Sequence, residues 1–401
     1  MTPSAQTPGL AILLVGNYSN RTGYAWNNIY RLFQSIALES HRHGLLPWVS
    51  FAKFEPPLDW KHADVFQGVI ELSPAPSSIK ELWKWMRAIK NHKIRYLYLT
   101  DQACWSFRYA LFKLSGVRKI IVHSRVSVAD PKPAKPDNGI RGALKWIASR
   151  TPFIQATRIY TVSDFVRNRL VVKAKVPSSR VVTIINGVDL ERFAPSKRSK
   201  QPDCAVQIFC GGRATVHKGI GKLIEATALL RNQFGLSGFT VQYAGDGPDL
   251  SDFIELAESL DLGHQFKFLG ELPNTEEQLH EADIVVVPSI WGDACPSSIS
   301  EALAAGKPLI ATRVGGVPEL IGNEGAAIMV EPGDSAELAK AMAQLIKNPK
   351  EREELAVRGR HRAEQALDEQ RYFAEVLRQI GCDIGITSFS YNVSPEKVLC
   401  S

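Results

Sequence analysis

Short apolar runs alternate with longer amphipathic stretches along most of the chain. In the first half, the apolar runs have the length of strands and cover residues 10–16, 96–99, 119–123 and 158–162. Two amphipathic stretches, residues 79–91 and 140–149, have apolar positions at the three- and four-residue spacing of a helix. Because this alternation is typical of a parallel sheet with helices on both faces, it predicts an α/β fold.

The pattern restarts after residues 196–203, a polar and basic segment beside prolines that we interpret as a linker. Beyond it, strands are predicted at residues 206–210, 240–244, 266–269, 284–288 and 308–312. We therefore expect two doubly wound, Rossmann-like domains, residues 1–195 and 204–366, facing a central cleft. A helix over residues 367–381 is expected to return to the N-terminal domain, and residues 382–401 show no period and stay unassigned.

Charge is distributed unevenly between the two halves. Residues 1–200 contain 31 Lys and Arg against 12 Asp and Glu, a net of +19, whereas residues 201–401 contain 17 against 29, a net of −12. The basic half is expected to attract an anionic partner, such as a membrane surface, a lipid phosphate or nucleic acid. The six cysteines show no metal-type spacing. Without a signal-peptide pattern or a membrane-spanning apolar run, the sequence predicts a cytoplasmic protein.

Glycines and basic residues follow the first strand of the second half. Gly211 and Gly212 let the backbone turn tightly, and Arg213 and Lys218 could reach two phosphates of one diphosphate. The alternative is that both cations are simply solvated on a loop. The position favours a ligand, because open α/β sheets bind ligands where their strands end.

A second segment, residues 288–306, combines a strand end, a loop and a helix start near Pro296. Free amides at a helix start favour a phosphate. Asp293 and Glu301 lie eight positions apart, and a carboxylate there could accept hydrogen bonds from two neighbouring sugar hydroxyls. The alternative for Glu301 is an ordinary surface glutamate.

Taken in order, these segments resemble the retaining GT-B glycosyltransferases of glycosyltransferase family four. Residues 212–219 resemble that family's G-R-x-x-x-x-K-G, and Asp293 to Glu301 resembles its E-x(7)-E with Asp in place of the first Glu. Four further stretches are similar to its A-G-x-G-P, F-x-G, V-S and N-G-V-D-x-x-x-F segments, namely residues 244–248, 268–270, 161–163 and 186–193. The end of its G-G-x-P-E segment matches residues 318–319.

The resemblance implies roles for individual residues. Arg213 and Lys218 would neutralise the donor diphosphate, Glu301 would hold the ribose, and Asp293 and His123 would face the transferred sugar. Arg213, Lys218, Asp293 and His123 are the implied catalytic group. Further donor-binding residues are Gly211, Gly212, Gly245, Phe268, Leu269, Cys295, Pro296, Ser297 and Ser298. Residues on the acceptor or phosphate side are Arg21, Gly23, His123 and Asn186.

Two departures from the family pattern matter. The carboxylate of Asp293 is one methylene shorter than that of the usual Glu, and the loop of residues 17–23 has a single glycine where the family commonly has a pair. For His123 the alternative role is structural, as a buried and hydrogen-bonded side chain.

No D-x-D is placed to hold a metal, so we expect a metal-independent enzyme without a cofactor. Its donor would be a nucleotide-diphosphate sugar and its acceptor a lipid-linked or cell-envelope glycan, with retention implied by the family alone. A nucleotide-sugar epimerase of the same fold and a non-catalytic sugar-binding relative stay open. The sequence lacks the G-x-G-x-x-G motif that an NAD-dependent oxidoreductase needs, and it contains no nucleic-acid recognition motif.

Two basic stretches with tryptophan, residues 79–90 and 140–147, lie in the basic half. In the first, the spacing predicts an apolar stripe of Ile79, Leu82, Trp83, Met86 and Ile89. Such helices can lie on an anionic membrane, which predicts peripheral association with its inner face or an anionic lipid-linked acceptor. The alternative is that each stripe packs on its own sheet.

Overall fold

The computed structural model describes residues 9–20, 27–56, 63–125, 151–195 and 205–389. The chain divides into two compact units, one with residues from Met1–Ile184 and Arg371–Ser401, the other formed by Ile185–Gln370. Several predicted features lie outside the described residues: the helix over 140–149, the linker 196–203, Arg21, Gly23 and residues 390–401.

The first unit contains a six-stranded sheet in the order β2-β1-β3-β4-β5-β6, with every neighbouring pair parallel. Its strands are β1 (Ala11–Ser19), β2 (Leu46–Lys53), β3 (Ile94–Thr100), β4 (Lys119–Ser124), β5 (Arg158–Thr161) and β6 (Val181–Thr183). Its helices in this part of the chain are α1 (Asn27–Arg42), α2 (Ile79–Asn91), α3 (Phe107–Leu114) and α4 (Asp164–Asn168).

Strand β1 shows why this sheet needs cover on both faces. Ile12 and Leu14 belong to the core on one side, whereas Leu13 and Val15 belong to the core on the other. Successive side chains of a strand point to opposite faces, so a strand buried on both faces has an uninterrupted apolar sequence.

Helix α2 has the predicted bounds but a different buried face. Its start is fixed by a capping box, in which the Ser78 hydroxyl accepts the N–H of Glu81 and the Glu81 carboxylate accepts the N–H of Ser78. The buried residues are Trp85, Ala88 and Ile89, with Trp85 stacked on Phe112 of α3 at 4.6 Å. The predicted apolar stripe is therefore divided, since Ile79 and Trp83 are 75% and 65% exposed whereas Ile89 is buried.

The second unit contains another six-stranded parallel sheet, in the order β12-β11-β10-β7-β8-β9. Its strands are β7 (Val206–Gly211), β8 (Phe239–Ala244), β9 (Phe266–Phe268), β10 (Ile284–Val287), β11 (Leu309–Thr312) and β12 (Ile328–Val330). Its helices are α5 (Ile220–Asn232), α6 (Leu250–Ser259), α7 (Glu276–Glu281), α8 (Ser297–Ala304), α9 (Val317–Ile321), α10 (Ser335–Lys347) and α11 (Pro349–Ala366).

The direction of winding reverses between β7 and β10, which are neighbours in this sheet. The chain first builds outward from β7 through β8 and β9, and then restarts on the other side with β10. Open α/β sheets bind ligands at such a switch point, beyond the carboxyl ends of the strands. The loops after β7 and β10 are therefore where a ligand site is expected.

The last described helix, α12 (Glu369–Ile384), belongs to the first unit. Tyr372, Val376 and Ile380 pack in the same core as Ile12 and Leu14 of β1. The helix continues three residues beyond the predicted end at 381. The sequence Gly381-Cys382 resembles a helix end, but the glycine is needed for packing, because a Cβ at Gly381 would lie 2.6 Å from the Cβ of Phe389.

The segment 185–195 is placed in the second unit, whereas the sequence-based boundary assigns it to the first. Val188 donates its N–H to the carbonyl of Leu367 at 2.7 Å and accepts from the N–H of Glu369 at 3.0 Å. The segment contains no helix or regular strand, so its apolar pattern carries no information about its partners. Among the described helices, none combines the length and apolarity needed to cross a bilayer.

Candidate active site

Three loops at the carboxyl edge of the second sheet interlock through glycines. Gly219 has φ +75°, and a Cβ there would collide with the carbonyl oxygen of Pro288 after β10. Gly245, after β8, has φ +154°, and its Cβ would collide with the carbonyl oxygen of Gly212 after β7. Glycine is required at both positions because only it permits this backbone conformation and this closeness.

Hydrogen bonds hold the loop after β7 in place. The Ala214 N–H donates to the carbonyl of Asp246 at 2.8 Å, and the Tyr243 hydroxyl donates to the carbonyl of Gly212 at 2.6 Å. The Ile290 N–H donates to the carbonyl of His217 at 2.9 Å, which joins this loop to the one after β10. The loop is therefore positioned by its neighbours on both sides, which suits a preorganised site.

Lys218 and Asp293 form an ion pair at the switch point. Their side chains are 29% and 20% exposed, so an incoming ligand can reach them. The Asp293 carbonyl accepts the Gly316 N–H at 2.8 Å, and a Cβ at Gly315 would collide with the Asp293 backbone. The two predicted catalytic residues, on loops 75 residues apart in sequence, are thus brought together.

Arg213 lies on the same loop as Lys218 but is not part of this ion pair. It is exposed and makes no ion pair with the described residues. A Cβ at the preceding Gly212, which has φ +153°, would meet nothing within 4 Å. The space next to Arg213 is therefore open to an anion.

Helix α8 begins one residue after the predicted start and has no side-chain cap, because Pro296 occupies the N-cap position. Ser297 is exposed and Ser298 half-buried at its first turn. Ser289, at the end of β10, is buried, and its Oγ has no hydrogen-bond partner in the described parts of the chain. The amides of an uncapped helix start attract an anion through their N–H groups and the helix dipole.

Glu301, in the second turn of α8, has an unusual environment. Burial raises the pKa of its carboxyl to about 7, while a hydrogen bond with Ser297 and the charge of Arg192 lower it and Glu276 raises it further. Arg192 forms an ion pair with Glu276 at the start of α7. Near neutral pH, Glu301 is therefore divided between a neutral and a charged form.

Arg192 and Glu276 are functional-site neighbours that sequence reasoning missed. Arg192 lies inside the stretch that resembles N-G-V-D-x-x-x-F, but that stretch was assigned to the acceptor side. Asp189 accepts the N–H of Arg192 at 3.0 Å, which fixes the turn that carries it. Only the fold shows that this turn lies beside α7 and α8.

The predicted base-side residues lie at the ends of β8 and β9. The Leu269 N–H donates to the Tyr243 carbonyl at 2.8 Å, and the Gly245 N–H donates to the Gly270 carbonyl at 2.8 Å. Phe268 packs edge-on against Tyr243, with ring centroids 6.0 Å apart. These residues lie at the carboxyl ends of β8, the neighbour of β7, and of β9, the next strand, and so on the same sheet edge as Lys218.

The remaining donor-side predictions also lie on this edge. Gly211 ends β7 and pairs with Ala244 in the sheet. Cys295 is half-buried in the loop before α8. Asn186 belongs to the second unit rather than the first, and its Oδ1 is buried without a hydrogen-bond partner among the residues that the structure describes.

His123 lies in the first unit, at the last residue but one of strand β4. It is fully buried, and its Nδ1 is 2.5 Å from the hydroxyl of Tyr98. Its Nε2 has no hydrogen-bond partner within the described segments. Burial, followed by the charge of Arg125, holds the pKa of His123 well below its usual value of 6.5.

The surroundings of His123 favour a neutral imidazole in which one ring nitrogen, Nδ1, is hydrogen-bonded. If the Tyr98 hydroxyl donates to Nδ1, then Nε2 carries the ring hydrogen and is a donor without an acceptor. A buried unsatisfied donor is costly, so this nitrogen, like the Nε1 of Trp48, is a buried polar atom of the first unit that a ligand could satisfy.

Two parallel-sheet units, one of them with an ion pair and an uncapped helix start at its switch point, define a two-domain α/β protein with a candidate ligand site in its second unit. A family model described as "Glycosyl transferases group 1" matches residues 192–362, and one described as "Glycosyltransferase Family 4" matches residues 49–192. The chain belongs to this glycosyltransferase family, as its sequence predicts.

Individual relatives agree with this assignment. The putative colanic acid biosynthesis glycosyltransferase WcaL of Escherichia coli (strain K12) is 30% identical over 45% of this chain and 46% of its own length. The D-inositol 3-phosphate glycosyltransferase of Saccharomonospora viridis is 30% identical over 61% of this chain and 60% of its own length. The chain thus spans about half the length of the curated relatives it matches.

Solved structures show the GT-B fold over nearly the whole chain. A glycosyltransferase from Rickettsia africae ESF-5 has a TM-score of 0.76 at 18% identity, covering 94% of this chain and 99% of that one. Anabaena Alr3699/HepE, in complex with UDP-glucose, has a TM-score of 0.72 at 18% identity, covering 92% of this chain and 99% of that one. In the part of the chain that the structure describes, no three His, Cys, Asp or Glu side chains group as metal ligands.

Proposed function

We propose that the protein is a retaining, metal-independent glycosyltransferase that moves a sugar from a nucleotide-diphosphate donor to a lipid-linked or cell-envelope glycan. The observation that carries this proposal is the meeting of Lys218 and Asp293 beside the uncapped start of α8, at the switch point of the second sheet. Family membership and the fold of the solved relatives support it.

The reaction breaks the bond between the anomeric carbon and the diphosphate oxygen, and the electron pair leaves with the diphosphate. A hydroxyl oxygen of the acceptor forms the new bond to the anomeric carbon, and the proton of that hydroxyl passes to the departing diphosphate. Lys218, Arg213 and the first amides of α8 stabilise that developing negative charge. Without donor, Lys218 is neutralised by Asp293. With donor, the diphosphate becomes the partner of Lys218, and the carboxylate of Asp293 is released to accept a hydrogen bond from the sugar.

Glu301 holds the ribose of the donor through its carboxylate. Two hydrogen bonds from vicinal hydroxyls favour the charged form, whereas burial favours the neutral one. Donor binding is therefore coupled to release of a proton from Glu301 when the solution is near or below neutral pH.

His123 acts as a neutral hydrogen-bond donor to a sugar hydroxyl, through its unpartnered Nε2. Its lowered pKa makes it unsuited to neutralising a phosphate, because the imidazole is uncharged at neutral pH. The cationic donors of the second unit and the neutral donor of the first thus suit different chemical groups.

The names of relatives guide the choice of substrates. HepE is described as a complex with UDP-glucose, which makes UDP-glucose the first donor to test. WcaL is described as a colanic acid biosynthesis enzyme, which supports a polysaccharide precursor as acceptor.

The proposal is tested by thermal shift with UDP-, GDP-, ADP- and CMP-sugars in the presence of EDTA. One base class should raise the melting temperature, since a ligand that binds only the folded state stabilises it. The Lys218→Ala variant should lose the shift. Lys222→Ala is the matched control, because Lys222 lies four residues further on and pairs with Glu225. No shift with any sugar nucleotide would contradict the proposal.

Products then separate the alternatives. Transfer to an acceptor with an unchanged anomeric configuration, followed by NMR of the product, supports a retaining transferase. Conversion of the donor in the absence of any acceptor would indicate an epimerase instead. Binding with no turnover across a panel of envelope-glycan precursors would indicate a non-catalytic relative.

A further inference from the structure

Helices α2 and α3 of the first unit display large apolar side chains outward. Nine such side chains are exposed in the described parts of the chain, and four of them belong to these two helices. They are Ile79 at 75%, Trp83 at 65%, Phe107 at 67% and Leu114 at 73% exposed. We call this face, with the basic residues described next, the α2–α3 surface.

The two helices pack side by side, so their outward faces are neighbours. Trp85 of α2 stacks on Phe112 of α3 beneath the surface, and both belong to one core. The Arg108 guanidinium donates to the carbonyl of Pro76 at 3.4 Å, which joins the start of α3 to the chain just before α2. Ile79 and Phe107 therefore lie at the same end of the pair.

The exposed apolar residues are surrounded by positive charge. Helix α2 carries Lys80, Lys84, Arg87 and Lys90, all exposed. The single acidic residue of the two helices, Glu81, is turned back to the start of α2, where it accepts the N–H of Ser77 at 2.7 Å and of Ser78 at 3.3 Å. Its carboxylate caps the start of the helix and also interacts with the charge of Lys84, so it offsets only part of the positive charge of α2.

Tryptophan and aliphatic side chains among lysines fit the boundary between headgroups and acyl chains of an anionic bilayer. The apolar groups enter that boundary while the ammonium groups stay at the level of the phosphates. We propose that the α2–α3 surface docks the protein on a bilayer that contains anionic phospholipid. This goes beyond the proposed transfer reaction and does not depend on it.

The experiment is co-sedimentation of the full chain with two kinds of vesicle, phosphatidylcholine alone and phosphatidylcholine mixed with about one third phosphatidylglycerol. We expect binding to the anionic vesicles at low salt, weakened by added salt, and little binding to the neutral ones. Lys80→Glu combined with Lys84→Glu should weaken binding at least about tenfold, and Trp83→Ala about threefold to tenfold.

Matched controls lie on the second unit. Lys340→Glu combined with Lys350→Glu makes the same charge change at two exposed helical positions, and Val357→Ala removes a side chain that is 70% exposed. Both control variants should bind like the original protein. Thermal shift with nucleotide sugar should be the same for all of these variants, which separates loss of docking from loss of fold or donor site.

Hydrogen exchange of the vesicle-bound protein gives the location. Amides of α2 and α3 should exchange more slowly on anionic vesicles than in solution. Protection confined to other segments would overturn the assignment to this surface. Absence of binding to anionic vesicles, equal binding by the Lys80/Lys84 double variant, or tighter binding to a short RNA at the same salt would overturn the lipid proposal.

Discussion

The two units have the same kind of parallel sheet, but the functional candidates at the carboxyl edges of the two sheets differ in charge and in exposure. At the edge of the second sheet, Lys218 and Asp293 carry full charges and remain partly exposed. At the edge of the first sheet, His123 is fully buried among aromatic rings, with Tyr98 on one nitrogen and nothing described on the other. The shared topology provides a place for chemistry, and the side chains at its edge decide what that chemistry is. We call the edge with Lys218 and Asp293 the ionic edge, and the edge with the uncharged imidazole of His123 the neutral edge, although the charged Arg125 lies near that imidazole.

The difference suits two kinds of chemical group. A diphosphate needs charge and free N–H groups, which lose little when they are already solvated and held in position. A sugar hydroxyl needs a single directed donor, and that donor is most effective when water is excluded. The following substitutions test whether the ionic edge and the neutral edge have these separate roles.

The largest effect is expected at the ionic edge. Lys218→Ala should reduce turnover by about 100- to 1000-fold, because a preorganised charge on the leaving group is lost. Asp293 is then left without its cation, so the variant also tests whether the pair is needed for the fold. Initial rates with the identified donor are the measurement, and a Lys222→Ala rate that fell equally would show that the loss is not specific to the pair.

The neutral edge should give the next largest effect. His123→Ala should lower turnover by about 10- to 100-fold through loss of one buried hydrogen bond. His123→Gln places an amide nitrogen close to the position of Nε2 and should recover part of the rate. The pKa of His123 lies well below 6.5, so titration of this imidazole should not change the rate near that pH. The pH profiles of the original protein and of His123→Gln should therefore have the same shape there, with no step that is lost in the variant. Such a step would mean that the imidazole works in its charged form.

Glu301 should give a smaller, pH-dependent effect on the donor affinity. Its carboxyl has a pKa of about 7, so affinity should rise as the pH increases through neutrality and the carboxylate forms. Glu301→Gln should bind about tenfold more weakly above about pH 8 and show no such rise. Titration calorimetry at several pH values measures both.

The same group makes an opposite prediction for stability. Burial favours the neutral carboxyl, so its contribution is present below the ordinary pKa of 4.5 and is lost as the pH rises to about 7. At about pH 8, the free energy of unfolding of Glu301→Gln should therefore exceed that of the original protein by on the order of 1–3 kcal/mol. Removing Glu276, which raises the pKa, should move the affinity midpoint to lower pH. An unchanged midpoint in Glu276→Gln would contradict this account.

The smallest effect is expected from the support of the neutral edge. Tyr98→Phe removes the hydroxyl next to Nδ1 of His123 and should lower the free energy of unfolding by about 1 kcal/mol. Turnover should fall only a few-fold, because the imidazole stays buried but is less firmly oriented. Tyr96→Phe, a buried tyrosine on the same strand, is the control for denaturant melts. Equal losses in both variants would remove the special role of the Tyr98 hydroxyl.

Much of the architecture is predictable because it depends on local periodicity. The bounds of α2 agree with the sequence, and the predicted runs at 96–99 and 206–210 differ by one or two residues from β3 and β7. Strands β2, β6 and β12 were not recognised. β6 and β12 have three residues each, which gives only a weak periodic signal, although the equally short β9 is predicted from its apolar residues. The outward direction of Trp83 depends on which of two tryptophans fits against Phe112, which is a matter of packing.

The candidate site, like the fold, is predictable from the sequence only in part. The glycines, Lys218 and Asp293 could be chosen because ligand loops of parallel sheets follow strand ends. The pair Arg192 and Glu276 could not, because its two members come from distant loops whose meeting depends on the whole second unit. The pKa of Glu301 is likewise set by burial, which a sequence does not display.

Helix α12 has a consequence for how the protein is made. The first unit lacks Tyr372, Val376 and Ile380 of its core until residues 371–389 have left the ribosome, whereas Ile185–Gln370 is a continuous stretch. During synthesis the second unit can therefore complete its core before the first, although its sequence is translated later. A chain truncated after residue 370 should resist protease over its second unit and be cut in its first.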